Sequence, residues 1–195
     1  MGILGDLESR ASDLWMVNAD GSNLHQLTST KADSNPTWSP DGSQILFGRA
    51  LQDTTGDGQI SILDNMDMHI LSLMTGKVHN ISNTPEYDDF NFSWSSDGEW
   101  IVFTSVREDA DGSGYMNLDD SRHLFLIRPD GSDERRIDLG DLLTFSPVWS
   151  PDGKSILFGV KVEDAIHVLY IYSVAVGALE AVTDEDAYYH ADWAK

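Results

Sequence analysis

The sequence contains no cysteine, which excludes disulfide staples and thiolate metal centres and leaves the redox compartment unmarked. Basic residues are scarce: 12 Lys and Arg stand against 33 Asp and Glu, a formal net charge of -21. A surface of that sign repels phosphate backbones and anionic lipids, so nucleic-acid binding is excluded as a function class and cationic ligands or basic protein partners are favoured. Long apolar runs are also missing. None approaches the roughly 20 residues that span a bilayer, and Met1 to Arg10 carries acidic residues where a secretory leader is basic and then apolar. Read this way, the chain is cytosolic or has lost a leader. No ten-residue stretch carries a helical period.

Catalytic signatures are equally sparse. There is no Gly-x-Ser-x-Gly elbow, no P-loop, no dinucleotide fingerprint and no zinc-protease histidine pair. The many carboxylates would permit a glycosidase-type acid/base pair, but the pattern singles out no two of them. The chain is read as non-catalytic. Its 195 residues, 41% of them hydrophobic, suffice for one globular domain with a substantial core.

What is present is a repeat. The run Pro36-Thr-Trp-Ser-Pro-Asp-Gly-Ser-Gln-Ile-Leu-Phe47 returns as Phe92-Ser-Trp-Ser-Ser-Asp-Gly-Glu-Trp-Ile-Val-Phe103 and as Pro147-Val-Trp-Ser-Pro-Asp-Gly-Lys-Ser-Ile-Leu-Phe158, and a fourth copy begins at His190-Ala-Asp-Trp193. A second hairpin signal follows each copy, with turns at Ala19-Asp-Gly21, Thr75-Gly76, Pro129-Asp-Gly131 and Gly177. Short β-branched and aromatic runs bounded by Asp-Gly or Thr-Gly read as antiparallel strands, because Gly supplies the positive φ of a tight turn. One unit is thus a four-stranded meander: strand A ends at the Trp, B is the Ile-Leu-Phe run, and C and D follow. A lone twisted sheet of this size cannot bury both faces, whereas several stacked about an axis can. The expected fold is an all-β propeller of four-stranded antiparallel blades.

The Trp-Ser-Pro-Asp-Gly turn before an Ile-x-Phe strand, together with Asn18-Ala-Asp-Gly-Ser-Asn-Leu-His-Gln-Leu-Thr28, resembles the WD40-like (PD40) repeat of TolB-like propellers across nearly the whole chain. Ser96, where the pattern has Pro, is a mild departure. The blades are expected over 29–82, 83–140 and 141–183, with a further blade whose strands B, C and D lie in 1–28, strand B at Gly2 to Gly5, and whose strand A lies in 187–195. Four blades then either close on themselves or form an arc of the six-bladed ring that the resemblance implies, completed by further blades or by self-association with a second copy. The resemblance further implies a protein-binding or scaffolding role in an extracytoplasmic, periplasmic or secreted setting. Alternatives are the regulatory or gating propeller of a prolyl-oligopeptidase-like hydrolase and a carbohydrate-active or lyase propeller.

The intervals between Trp38, Trp94, Trp149 and Trp193 are 56, 55 and 44 residues, so the first two units carry insertions, both between strands B and C. Each insertion sets oxygen side chains at the first, third, fifth, ninth and twelfth loop positions and Gly at the sixth, the spacing of a twelve-residue calcium loop. A hard cation with six to eight oxygen ligands needs the backbone wrapped around it, with Gly at the sharp bend. The expected ligands for two Ca2+ ions are Asp53, Thr55, Asp57, the Gln59 carbonyl, Ser61 and Asp64 in one loop. In the other they are Asp109, Asp111, Ser113, the Tyr115 carbonyl, Asn117 and Asp120. Asp at the twelfth position makes them similar to dockerin loops; Ile60 and Met116 are expected to point inward. These loops share an end of the meander with the D-to-A crossovers, which carry Asp33, Glu86, Asp88, Asp89, Asp141, Asp184, Glu185 and Asp186, so that end is expected to be strongly acidic. The four recurring tryptophans are expected to pack between blades. Among the histidines, which show no metal-binding pair, His69 and His123 lie nearest the insertions.

Overall fold

The computed structural model describes residues 11–108, 121–140, 142–163, 166–183 and 192–193. Every regular element among them is a β-strand. The chain begins with β1 (Trp15–Met16) and β2 (His25–Gln26), which form a two-stranded sheet. Three complete meanders follow. The first comprises β3 (Asp33–Trp38), β4 (Gln44–Ala50), β5 (Met66–Ser72) and β6 (Val78–Asn80). The second comprises β7 (Asp88–Trp94), β8 (Ile101–Glu108), β9 (Ser121–Ile127) and β10 (Arg135–Arg136). The third comprises β11 (Leu143–Trp149), β12 (Ser155–Glu163), β13 (Ile166–Ser173) and β14 (Ala178–Ala181). Within each, strands are neighbours in chain order and antiparallel, as expected for propeller blades. The strands expected in 1–10 and 187–191, on which completion of the remaining blade depends, lie outside the described residues.

The repeated A-B turn shows why its residues recur. Ser39 donates its hydroxyl to Asp41 Oδ1 at 2.6 Å and accepts the Gln44 amide at 3.0 Å, while Asp41 Oδ1 also accepts the Ser43 amide at 3.0 Å. Ser95 and Asp97, then Ser150 and Asp152, repeat the arrangement with hydroxyl-to-carboxylate distances of 2.6 Å. Gly42, Gly98 and Gly153 sit at φ of 70°, 73° and 68°, which an L side chain adopts only at a cost. Ser96 leaves the hydrogen bonds of its turn intact, because Pro contributes a preset φ there and no donor or acceptor of its own. The Ser39 hydroxyl and the Ser43 amide and hydroxyl hold the Asp41 carboxyl down at about 2. The Ser95 and Ser150 hydroxyls likewise lower those of Asp97 and Asp152.

Blades pack through alternating faces of their middle strands. Leu46, Met68, Ile70 and Ile81 of the first complete blade meet Trp94, Ile101, Phe103, Phe125 and Ile127 of the second. Val102, Leu124, Leu126 and Ile137 of the second meet Trp149, Ile156, Phe158 and Val160 of the third. Period-2 alternation makes this possible, since a strand buried on both sides sends successive residues to opposite neighbours. Trp94 and Trp149 are buried between blades, as the repeat predicts. Trp193 extends the series, its indole N–H donating to the Val148 carbonyl at 3.3 Å. Trp38 departs from the expectation: it is 52% exposed, beside a sheet that among the described residues comprises the short β1 and β2.

Strands β3, β7 and β11 each carry a bulge at the same place, between Ser34 and Thr37, Phe90 and Ser93, and Phe145 and Val148. Asn35, Asn91 and Ser146 adopt φ of 52°, 51° and 49° there. The bulge interrupts the ladder on the terminal strand of each sheet and blunts its free edge against further pairing.

Candidate functional site at the loop face

The first insertion folds as a loop closed by its own carboxylates. Asp53 Oδ1 accepts the amides of Gly56 (2.8 Å) and Asp57 (3.1 Å), and its Oδ2 accepts that of Gly58 (2.7 Å). Asp57 Oδ1 accepts the Gln59 amide at 2.9 Å. At the far end Asp64, buried together with Ser61, takes the amides of Thr54 (2.8 Å) and Thr55 (2.9 Å) on Oδ1 and that of Ser61 (2.8 Å) on Oδ2. Burial raises the Asp64 carboxyl, but the Thr55, Ser61 and Thr54 amides outweigh it and hold the group below the usual carboxylate range. Gly56 and Gly58 bend the chain at φ of 73° and 86°. Asp53, Thr55, Asp57 and Gln59 are exposed along the rim.

The oxygen side chains of the calcium pattern therefore share one loop, but in this conformation the Asp53 and Asp64 oxygens are engaged by amide donors. Among the described residues no group of three or more His, Cys, Asp or Glu side chains is gathered to hold a metal ion. Ile60, expected to turn inward, is 48% exposed, because Ser61 and Asp64 occupy the loop interior. The second insertion, with Asp109, Asp111, Ser113, Tyr115, Met116, Asn117 and Asp120, lies outside the described residues.

Beneath the loop the crossovers form a layer of polar side chains that differs from the expected acidic surface. Asp33 is fully buried and takes a two-pronged contact from Arg49, Nε to Oδ1 at 2.6 Å and Nη2 to Oδ2 at 3.0 Å. Burial pushes its carboxyl up, but hydrogen bonds from Arg49, Thr28 and Thr30 prevail and lower it. Asp89 occupies the same position one blade on and is also fully buried, accepting the hydroxyls of Ser105 (2.6 Å) and Thr84 (3.1 Å). Among the described residues no Arg bonds to it directly. Arg107 Nε donates to Ser105 Oγ at 3.0 Å and its Nη1 to Glu134 at 2.7 Å, with the guanidinium 3.9 Å from the Phe125 ring centroid. Burial raises the Asp89 carboxyl to about 7 against the Ser105 hydrogen bond and the Arg107 charge, and raises that of Asp88 to about 6 against the Met66 amide.

Of the acids assigned to this end, Glu86 is exposed, Asp88 is half-buried, and Asp33 and Asp89 are interior. Asp141, Asp184, Glu185 and Asp186 lie outside the described residues. Sequence reasoning missed the interior pair because a crossover acid reads as solvated until its packing is known. The available signal was the shared spacing, Asp33 and Asp89 each five residues before a repeat Trp. It also missed Asp67, buried and bonded by Asn80 Nδ2 at 2.7 Å and the Thr84 amide at 2.9 Å.

The loop and this layer are joined. Asn65 Nδ2 donates to the Glu86 carbonyl at 3.1 Å and the Met66 amide to Asp88 at 3.1 Å, tying the end of the insertion to the crossover between the first two complete blades. His69 is buried with its Nδ1 on the Asp67 carbonyl at 3.2 Å, and burial lowers its pKa; His123 is buried one blade on. Trp100 is half-buried under the guanidinium groups of Arg128 and Arg135, 4.4 and 4.5 Å from its ring centroid.

No family model matches the chain. It is 33% identical over 147 residues to a Protein TolB homolog of Chlorobium luteolum, an alignment covering 75% of this chain and 28% of that protein. The chain therefore spans less than a third of the length of that relative. Among solved structures, TolB from Acinetobacter baumannii superposes with a TM-score of 0.67 at 16% identity, covering 90% of this chain and 38% of that one. An acylaminoacyl peptidase from Pyrococcus horikoshii superposes with a TM-score of 0.62 at 15% identity, covering 94% and 30%. At such identities the likeness is one of fold. The three complete blades, their Ser-Asp-Gly turns and the Trp between neighbours make this chain a TolB-like β-propeller in architecture.

Proposed function

We propose that the chain is a non-catalytic, protein-binding module of TolB type, acting outside the cytoplasm and presenting a calcium-responsive acidic loop face to a basic partner. The observation that carries the reading is the likeness to the TolB homolog over three quarters of the chain. The loop face adds chemistry to it. Asp53, Asp57 and Glu86 are exposed there, in a chain of net charge -21, and such a field attracts an extended basic segment and raises its association rate.

Calcium enters as the ion that the loop 53–64 would hold, through Asp53, Thr55, Asp57, the Gln59 carbonyl, Ser61 and Asp64, with the second insertion as its counterpart. Its support is the oxygen spacing around Gly58 and the second lone pair left on carboxylate oxygens that accept a single amide. When bound, the ion would supply positive charge that offsets the crowded carboxylates. Asn65 and Met66 would pass the ordering of the loop to the crossover that they anchor.

Calorimetric titration with deca-lysine, with deca-glutamate as control, tests the partner chemistry. Binding of deca-lysine alone, weakened as salt rises, is expected. Equal behaviour of the two peptides would remove the acidic-face reading. Calcium is tested separately by following the melting temperature of metal-free protein, which must rise if the ion binds the native form. A D53A/D109A variant should lose that rise, and no rise in the parent at millimolar calcium ends the calcium proposal.

A further inference from the structure

Each complete blade ends on an outermost strand, and the third of these differs from the other two. β6 has three residues, with Lys77 before it and His79 within it, and β10 is the pair Arg135–Arg136, preceded by Asp133 and Glu134. β14 has four residues, all exposed, and one charge, Glu180. Beside and within it, Val176, Leu179 and Val182 are 76%, 40% and 51% exposed. Among the described residues β14 pairs with β13 alone, so its other side is an open edge. Shortness and charge keep such edges from pairing with further chains, and β14 has the least of both.

The register with β13 fixes which groups that edge offers. Val182 donates its amide to the Leu169 carbonyl at 2.8 Å, while Tyr170 stands opposite Ala181, Ile171 opposite Glu180 and Tyr172 opposite Leu179. Along an antiparallel strand, residues bonded to the neighbour alternate with residues that are not. Ala178, Glu180 and Val182 therefore turn their amides and carbonyls to β13, and Leu179 and Ala181 turn theirs outward. Gly177, next in the outward series, lies in the turn at a φ of 69° and donates its amide to the Ser173 carbonyl at 2.9 Å. Leu179 is thus the centre of the open edge.

The same edge on a second copy is its complement, and charge selects the register. Two identical strands pairing antiparallel about Glu180 would set like carboxylates directly opposite each other, which is destabilising. Pairing about Ala178 or Ala181 runs past one end of the strand. Pairing about Leu179 lets the two Leu179 residues exchange amide-to-carbonyl bonds and sets Ala181 opposite Gly177 of the second copy. It also places each Glu180 opposite an Ala178, with no like charge across the seam, and brings Val176 of one copy toward Val182 of the other.

We propose that β14 is a docking edge for a second copy of this chain, the two β14 strands pairing antiparallel about Leu179 and joining two four-stranded sheets into one. The occupant follows from the self-complementary charge pattern, and the register from the outward amides. A net charge of -21 on each copy opposes the approach, so the pair forms where salt screens that repulsion. The inference goes beyond the partner-binding reading and stands without it, because its test uses the chain alone.

Sedimentation velocity on the full chain tests it in about 0.15 M salt, where charges more than about 8 Å apart are largely screened. A weak monomer–dimer equilibrium is expected, moving to dimer as the protein approaches about 1 mM, in keeping with so small a seam. Position 178 reads the register, since its exposed side chain stands opposite Glu180 of the second copy in the pairing about Leu179 alone. A178K should tighten the dimer by about fivefold and A178E loosen it by about the same factor. M74K, the same change of charge at a residue 91% exposed in another blade, should move the constant by less than about twofold. Amide exchange by NMR should show Leu179 and Ala181 slowed in the concentrated protein and fast on dilution, with Glu180 and Val182 slow in both. A chain that stays monomeric to about 1 mM overturns the proposal. A dimer indifferent to A178K and A178E also overturns it, by assigning the contact to another surface. So does slow exchange at Leu179 and Ala181 that persists on dilution, which would mean that the edge is already paired within one chain.

Discussion

Asp89 makes stability depend on pH in a direction opposite to that of most structural carboxylates. Its carboxyl is fully buried, has hydroxyl partners in Ser105 and Thr84 and no direct Arg among the described residues, and is raised from 3.8 to about 7 by burial. A raised folded-state value means that, between 3.8 and about 7, the folded protein holds a proton that the unfolded chain has lost. The stabilisation is fully present below 3.8 and disappears as pH rises through about 7. From pH 5 to pH 8 the group is displaced over roughly two units, worth about 3 kcal/mol at 1.36 kcal/mol per unit.

Replacing the carboxylate by an amide isolates the effect. In D89N the Ser105 hydroxyl keeps an acceptor and the Thr84 hydroxyl can turn to accept, while the ionisation is gone. Urea unfolding at pH 5, 6, 7 and 8 should show the parent losing about 3 kcal/mol more than the variant across the series, at a common m-value. The general self-repulsion of a chain of charge -21 changes in both proteins and cancels in the difference. The lowered carboxyls of Asp41, Asp97 and Asp152 act below pH 4 and leave this window untouched. Parallel pH profiles for parent and D89N would refute the reasoning.

Three further outcomes follow from the packing. R49M leaves the Asp33 carboxylate buried and unpaired, so urea unfolding should show a loss of about 3–5 kcal/mol, much of which the double variant D33N/R49M recovers. G159A drives a methyl group into the Phe145 ring across the β11-β12 ladder, lowering stability by about 1–3 kcal/mol, and F145L in the same chain should relieve part of it. W149A empties the space between the second and third complete blades, and thermal or urea unfolding should register a loss of about 3–5 kcal/mol.

The A-B turn was legible residue by residue because each letter has one local task. Ser bridges the turn, Asp collects the hydroxyl and amide, and Gly takes the positive φ, all within six residues. Blade faces were legible for a similar reason: alternation along Ile45-Leu46-Phe47 assigns Leu46 to one neighbour and Phe47 to the other, and the clusters divide them so. The acids of the crossovers were not. Asp33 and Glu86 look alike in a polar segment, yet one is interior with Arg49 and the other exposed, because burial there depends on residues sixteen positions and a strand away.

The sequence by itself determined the all-β meander, the blade as its unit, the turns that join strands A and B, and the oxygen spacing of the inserted loops. These depend on contacts among near neighbours along the chain, where residue type dictates φ, alternation and hydrogen bonding. Tertiary structure alone decided which crossover carboxylates became buried structural groups and that Trp38 stands exposed while Trp94 and Trp149 do not. Those outcomes turn on what a neighbouring sheet places against a side chain, and desolvation by distant residues cannot be read from the identity of the residue that suffers it.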